Sequence, residues 1–212
     1  MIIKNSAFVT SVKDSANRPE FGMLEIAIAG KSNVGKSTFI NYITNVGRLA
    51  KTSSKPGLTK LVNYFNINNG EFMFVDLPGY GFAKVSEVDK LDWGVMVENY
   101  LVGNDKLVNV FVLVDIRREP SQLDKQMIAF LYHFHIPFTV IATKCDKLSK
   151  LAINAQKQVI STALTIGRDS IITVSALNKT GKEEVCAKIE SILASAKREK
   201  TKKNKVKTIE NG

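Results

Sequence analysis

The eight residues Gly30-Lys31-Ser32-Asn33-Val34-Gly35-Lys36-Ser37 constrain this chain more than any others. They fit G-x-x-x-x-G-K-[ST], with an apolar run, Glu25–Ala29, before them and a helical pattern, Ser37–Ile43, after them. Glycines in such a loop let the backbone wrap a phosphate, with successive N–H groups pointing inward at a helix N-terminus. Lys36 is then placed to neutralise the outer phosphates, and the Ser37 hydroxyl to reach a Mg²⁺ ion. The plain alternative is a glycine-rich strand-to-helix turn with an exposed lysine. The rest of the chain weighs against it.

Short, nearly continuous apolar runs recur at Leu24–Ala29, Val108–Val114, Phe138–Ala142 and Ile171–Val174. Strands buried on both faces of a parallel sheet read this way. Between them lie helical patterns. Leu123, Met127, Leu131 and Phe134 follow a Ser121 cap with Asp124 three positions on, Leu151–Leu164 is weaker, and Val185, Ile189, Ile192 and Ala196 mark a last helix. Leu61–Ile67 and Phe72–Val75 are separated by Asn68-Asn69-Gly70-Glu71, a hairpin signal that makes one strand antiparallel. The expectation is a three-layer α/β domain with a mostly parallel six-stranded sheet and one antiparallel strand.

With 212 residues, 44% hydrophobic and 24% charged, the chain can bury one ordinary core with short additions. No run approaches the length of a membrane span, and Met1–Thr10 lacks the pattern of a secretory signal. Cys145 and Cys186 are too few for a disulfide framework or a four-thiolate zinc site. A cytoplasmic protein is expected. The net charge is +10, and half of it lies in Lys197–Gly212, which alone carries +5. A polyanion such as nucleic acid is the implied partner, and that segment reads as frayed or disordered.

Two further motifs stand at strand ends. Asp76-Leu77-Pro78-Gly79 follows the second hairpin strand. There an Asp can hold a Mg²⁺-bound water, and Gly79 can offer its N–H to a γ-phosphate. Thr143-Lys144-Cys145-Asp146 follows Phe138–Ala142. A carboxylate at Asp146 can accept from guanine N1–H and the N2 amino group, a donor pair that adenine lacks. Ser175-Ala176-Leu177 follows the next strand, where backbone N–H groups could face guanine O6. Singly these motifs are weak, since Asp and Gly are common in turns and caps. In this order, each at a strand end, they point to a guanine nucleotide.

The segments LEIAIAGKSNVGKSTFIN, TSSKPGLTK, FVDLPGYGFAKV, LVDIRREPSQLDKQM, TKCDKLSK and SALNKTG resemble the EngB (YsxC/YihA) type of bacterial ribosome-assembly GTPase. That family stands near Era and EngA among the translation-factor-related P-loop GTPases. The likeness spans about Arg18 to Ala196. It implies a Ras-like fold, GTP hydrolysis with Mg²⁺, and action in maturing the large ribosomal subunit, with an association with cell division and septation. It further implies a lead-in at 1–22, a G domain at 23–196 and a basic tail at 197–212, in a monomer.

By position, the resemblance assigns Gly30–Ser37 and Thr38 to the phosphates, with Gly57 and Thr59 in a switch loop. Ser37, Thr59 and Asp76 fall at the metal, Gly79 at the γ-phosphate, Thr143, Lys144 and Asp146 at the base, and Ser175, Ala176 and Leu177 around it. Lys36, Thr59, Gly79 and Asn33 are the residues expected to act on the reaction. Leu58 and Lys60 flank Thr59 where relatives often carry Arg and Gln, and Thr143 stands where many GTPases have Asn.

Tyr80 occupies the position of the glutamine that orients water in many GTPases. Another group must take that part. Asn33 admits two readings, a ligand helping to hold K⁺ near the β- and γ-phosphates, or a residue that merely closes the loop. Leu49–Lys60 and Gly79–Phe82 read as two switch loops, the second with an exposed aromatic pair, Tyr80 and Phe82. His133 and His135 read as a helix end, Trp93 as packing, and Arg117 and Arg118 as a solvated loop ahead of a partner contact. The competing functions are a nucleotide-gated rRNA-binding scaffold with negligible hydrolysis and, disfavoured by Thr-Lys-x-Asp, an ATP-dependent kinase.

Overall fold

The computed structural model describes residues 1–13, 19–50, 61–81 and 87–210, of which 87–93 and 202–210 as backbone. Among the described residues seven strands form one sheet: β1 Ser6–Val12, β2 Glu25–Gly30, β3 Val62–Ile67, β4 Phe72–Asp76, β5 Leu107–Asp115, β6 Phe138–Thr143 and β7 Ile172–Thr173. The helices are α1 Lys36–Thr44, α2 Glu87–Leu101, α3 Gln122–His133, α4 Lys150–Leu164 and α5 Lys182–Glu210. The sheet order is β1-β3-β4-β2-β5-β6-β7, and β3 runs antiparallel to both its neighbours. One antiparallel strand was expected. Six strands were expected, and the seventh is β1, inside the stretch taken as a lead-in.

β1 is hidden from a sequence reading because it lies at the sheet edge, largely exposed, with a register shift between Phe8 and Thr10. A bulge of this kind breaks the two-residue alternation on which strand recognition rests. The hairpin loop helps to hold the segment. Asn68 Oδ1 accepts from Lys4 N at 2.8 Å and Asn68 Nδ2 donates to Ile2 O at 3.0 Å.

Alternation on β2 divides the core. Ile26 and Ile28 face Phe39, Ile40 and Ile43 of α1 and Val185, Ile189 and Leu193 of α5. Ala27 and Ala29 face Val97 and Tyr100 of α2, Met127 and Leu131 of α3, and Ile160 and Leu164 of α4. The two apolar layers on a central sheet give the three-layer arrangement. Burial of this kind contributes about 25 cal/mol per Å². α2 announces itself poorly, because Gly94 sits mid-helix and the apolar residues Val95, Met96 and Val97 run consecutively instead of at helical spacing; its Val97, Tyr100 and Leu101 join the core. There Tyr100 Oη and Asn104 Nδ2 donate to the buried Glu25 carboxylate at 2.8 and 3.0 Å. Ser121 opens α3 with a capping box to Asp124, as its spacing predicts. Residues 197–210, expected to be frayed or disordered, continue α5. Lys, Arg and Glu are good helix formers, so composition that forbids a core does not forbid a helix.

Candidate functional site

The carboxyl ends of β2, β4, β5, β6 and β7 converge on one edge of the sheet, where open parallel sheets place ligands. From β2 the chain turns through Lys31–Gly35 into α1. Asn33 has φ 66°, and Gly35, at the helix N-cap, has φ 109°, a conformation that favours glycine. Among the described residues no side chain caps α1, and its first turn holds no acidic residue. Its N–H groups and dipole therefore remain available to an anion.

The segment after β4 is laced to this loop. Leu77 N donates to Ile28 O at 3.0 Å, Tyr80 N to Gly30 O at 3.3 Å, and Ser32 N to Tyr80 O at 2.8 Å. Ser32 Oγ also donates to Tyr80 O at 3.0 Å. Gly79 lies so close to the loop that a Cβ there would stand 3.3 Å from Ser32 N and Lys36 Nζ. A side chain there would require Ser32 and Lys36 to yield by a few tenths of an ångström.

Lys36 Nζ stands 3.6 Å from Asp76 Oδ1, an ion pair too long for a hydrogen bond. Asp76 is buried, and its Oδ1 has no hydrogen-bond partner among the described residues. Burial raises its pKa, and Lys36 and Asn63 only partly offset this. An orphaned carboxylate oxygen at the mouth of the phosphate loop fits a hydrated divalent cation that would supply the missing charge and donors. Among the described residues no cluster of three or more His, Cys, Asp or Glu stands ready to hold a metal by itself. That suits Mg²⁺, which keeps several waters and takes one or two protein oxygens besides phosphate.

Tyr80 departs from expectation. It is 4% exposed, not displayed on a loop, and its hydroxyl donates to Asp124 Oδ1 at 2.7 Å. Asp124 Oδ2 accepts from Ser121 N at 2.7 Å and Ser121 Oγ at 2.6 Å, so one carboxylate serves both the tyrosine and the α3 cap.

At the other end, β5 and β6 put Asp115 beside Thr143 in register. The Thr143 hydroxyl lies 2.9 Å from Val34 O and 3.1 Å from Val114 O. It faces the phosphate loop, which makes Thr143 a support for the pocket. Lys144, at φ 64°, donates from Nζ to Asn33 O at 2.9 Å and to Asp115 Oδ2 at 3.0 Å. Arg117 is exposed, as a solvated loop predicts, and folds back onto Asp115, Nη2 to Oδ2 at 2.6 Å. Partial burial pushes the Asp115 carboxyl up, but Arg117 and Lys144 outweigh it and hold it well below the usual range.

Ser175 Oγ donates to Asp146 Oδ1 at 2.7 Å and Lys147 Nζ lies 3.2 Å from Oδ2. The serine bond, with Lys147 second, lowers the Asp146 pKa. A cavity of about 230 Å³ opens here between Val34 and Gly35, Lys144 and Asp146, and Ala176 and Leu177. Thr38, Phe39 and Tyr42 of α1 complete its wall. Leu177, 72% exposed, stands at the rim.

The structure thus gathers Gly30–Thr38, Asp76, Gly79, Thr143–Asp146 and Ser175–Leu177 along one edge. Gly57 and Thr59 lie outside the described residues, as do Lys51, Lys55, Pro56, Leu58, Lys60, Phe82 and the Trp93 side chain. His133 ends α3 and His135 follows at φ 54°, both exposed and both ahead of β6, whose far end carries Thr143. Cys145 is buried, its Sγ 3.4 Å from Thr180 Oγ1. Sequence reasoning missed Asp115, Asp124 and the Phe39–Tyr42 wall. Asp115 lay in the singled-out DIRREP segment and Asp124 in a recognised cap, but their long-range partners carry no local signal.

The sequence model described as "50S ribosome-binding GTPase" matches residues 25–144. A protein of Geobacter metallireducens named "Probable GTP-binding protein EngB" is 45% identical over 199 residues, 94% of this chain and 97% of that one. Its namesake in Clostridium kluyveri is 43% identical, over 91% of this chain and 98% of that one. The crystal structure of "a probable GTP-binding protein engB" superposes with TM-score 0.67 at 22% identity, covering 81% of this chain and 99% of that one. A variant of Era from Aquifex aeolicus, bound to GDP.AlF4-, gives TM-score 0.61 at 25% identity, over 80% of this chain and 56% of that one.

Proposed function

The chain belongs to the EngB family of GTP-binding proteins, and from that premise we propose that it is a GTP-driven switch in large ribosomal subunit assembly. As a P-loop GTPase it cleaves GTP to GDP and phosphate. The observation carrying the nucleotide site is the buried Asp76 Oδ1, without a hydrogen-bond partner among the described residues and set 3.6 Å from Lys36 Nζ at the mouth of an uncapped helix. Asp146, held by Ser175, reads guanine, while Thr143 and Lys144 brace the phosphate loop beneath it. Ser37 and Asp76, the latter through water, would hold Mg²⁺, joined by Thr59 if the resemblance extends there. When bound, Mg²⁺ neutralises charge between the β- and γ-phosphate oxygens. Lys36 and the Gly79 N–H stabilise the γ-phosphate as it leaves.

The ribosomal part of the reading rests on the basic end of α5, residues 197–210, past the last core contacts. Phosphates at the nucleotide site cannot account for charge carried there. Ribosomal RNA is the fitting polyanion, in the cytoplasm, and an effect on cell division and septation would follow from ribosome supply. The test is nucleotide-dependent co-sedimentation of the monomer with large subunits, full-length against a version ending at Ala196. Weaker, less salt-sensitive binding after truncation supports the reading. Unchanged binding assigns the arm to solubility.

The burial of Tyr80 favours a second reading, a nucleotide-gated rRNA scaffold with negligible intrinsic hydrolysis, since a side chain engaged with Asp124 cannot orient water. Turnover with and without large subunits separates the two. Potassium is the remaining candidate for the missing charge, with Asn33 as its ligand. The left-handed φ of Asn33 and the Lys144 bond to its carbonyl equally suit simple loop closure. Equal turnover in K⁺ and Na⁺ at one ionic strength would sink the potassium reading.

A further inference from the structure

We propose that Tyr80 and Asp124 are positioning residues for the γ-phosphate, a clamp that holds the Gly79 amide against the phosphate loop and ties it to the α3 N-terminus. The inference rests on the GTP-binding reading and deepens it.

Two anchors on either side of one residue make the case. The main chain of Tyr80 is bonded to Gly30 and Ser32, and its side chain reaches across to Asp124. Gly79 is the next residue back, and a Cβ added there would already stand 3.3 Å from Ser32 N and Lys36 Nζ. Its amide is thus bounded on one side by a residue fixed at both main chain and side chain. Burial and the Asp124 charge keep the phenol protonated, so it donates throughout the working pH range. Asp124 is itself immobilised by two bonds from Ser121, at the start of a helix packed on the sheet by Met127, Ile128 and Leu131.

A hollow of about 230 Å³ lies beside the ring, lined by Val97 of α2 and by Leu123, Met127 and Phe130 of α3. The phenol is held by its hydroxyl at the edge of a space into which the ring could turn. Removing the hydroxyl removes the bond to Asp124 while keeping the ring's volume. The clamp therefore matters for a ligand that touches Gly79, and not for one that stops at the β-phosphate. GTP touches it and GDP does not.

The full-length protein is titrated with GDP and with a non-hydrolysable GTP analogue, in Mg²⁺. Tyr80→Phe is expected to lower the ratio of analogue to GDP affinity about tenfold, the usual worth of a hydrogen bond to a charged group. GDP affinity should stay within about twofold of wild type. Asp124→Ala should lower the ratio in the same direction. Ser121→Ala, which removes one of the two bonds on Asp124 and leaves the tyrosine its acceptor, should lower thermal stability and lower the ratio less than Tyr80→Phe does. A merely structural role predicts that both ligands weaken together. That result, or an unchanged ratio in Tyr80→Phe, would overturn the clamp. Failure of the wild type to bind GDP would instead overturn the nucleotide reading on which it rests.

Discussion

The two ends of the nucleotide groove are built on opposite electrostatic terms. At the base end each described charge is already answered: Asp146 by Ser175 and Lys147, Asp115 by Arg117 and Lys144, and the Thr143 hydroxyl by a carbonyl of the phosphate loop. At the phosphate end Asp76 keeps a buried oxygen without a partner among the described residues, and its carboxyl is pushed toward protonation. The first end is finished before the ligand arrives. The second is incomplete among the described residues, and on the proposed reading a nucleotide and Mg²⁺ would complete it. Selectivity for a base needs fixed donors and acceptors, whereas a switch needs a site whose energy depends on what occupies it.

The largest effect should come from breaking the finished end. Asp146→Asn presents a donor where guanine also presents donors, so GTP and GDP affinity should fall about a hundredfold or more, and xanthine nucleotides should gain. Competition binding with both bases checks this. Equal loss for guanine and xanthine would mean that Asp146 only shapes the loop.

Asp76→Asn attacks the unfinished end and should act in two directions. Mg²⁺-dependent nucleotide affinity should fall about tenfold or more. Without nucleotide the variant should melt higher than wild type above the raised Asp76 value. The sign follows from linkage. A native carboxyl that titrates above its unfolded value takes up protons on folding, so ligand-free stability declines as pH rises through the native value. Calorimetry of ligand-free protein across roughly pH 4 to 8 should show this decline in wild type and a flatter profile in the variant.

Asp115→Asn should be milder, roughly fivefold to tenfold, and should weaken GTP and GDP alike, because Lys144 then braces the phosphate loop less firmly. Here the pH dependence is reversed. A lowered native pKa gives stability present above the ordinary aspartate range and lost as pH falls through the native value. The stability gap between wild type and variant should therefore close in acid. Smallest of all, ending the chain at Ala196 should leave nucleotide affinity unchanged within about twofold.

The strand-end placement of both ends was legible because residue types of the kind that phosphate and base recognition need stand at fixed spacing after apolar runs. Gly30–Ser37, Asp76–Gly79 and Thr143–Asp146 declare themselves by spacing, and the runs through Ile26, Val112 and Ile141 declare the sheet. What stayed hidden was set by distance in the chain or by compromised patterning. Tyr80 meets a partner 44 residues away, and nothing beside it distinguishes a buried tyrosine from a displayed one. β1 carries a bulge at an exposed edge, and α2 has Gly94 in its middle and three apolar residues in a row after it. Residues 197–210, read as a frayed or disordered tail because they are too polar for a core, continue α5 as helix, which polar composition does not forbid.

The length of α5 also sets an electrical separation. Beyond Leu193, its last buried residue among those described, the helix runs on for roughly 25 Å at about 1.5 Å per residue. Charges in physiological salt are screened over about 8 Å. The far end of the arm is thus out of electrostatic reach of the groove, and a polyanion held there would leave the field at Lys36 and Asp76 unchanged. Grip and switch can be tuned independently, one by adding or removing lysines and the other by residues around the nucleotide.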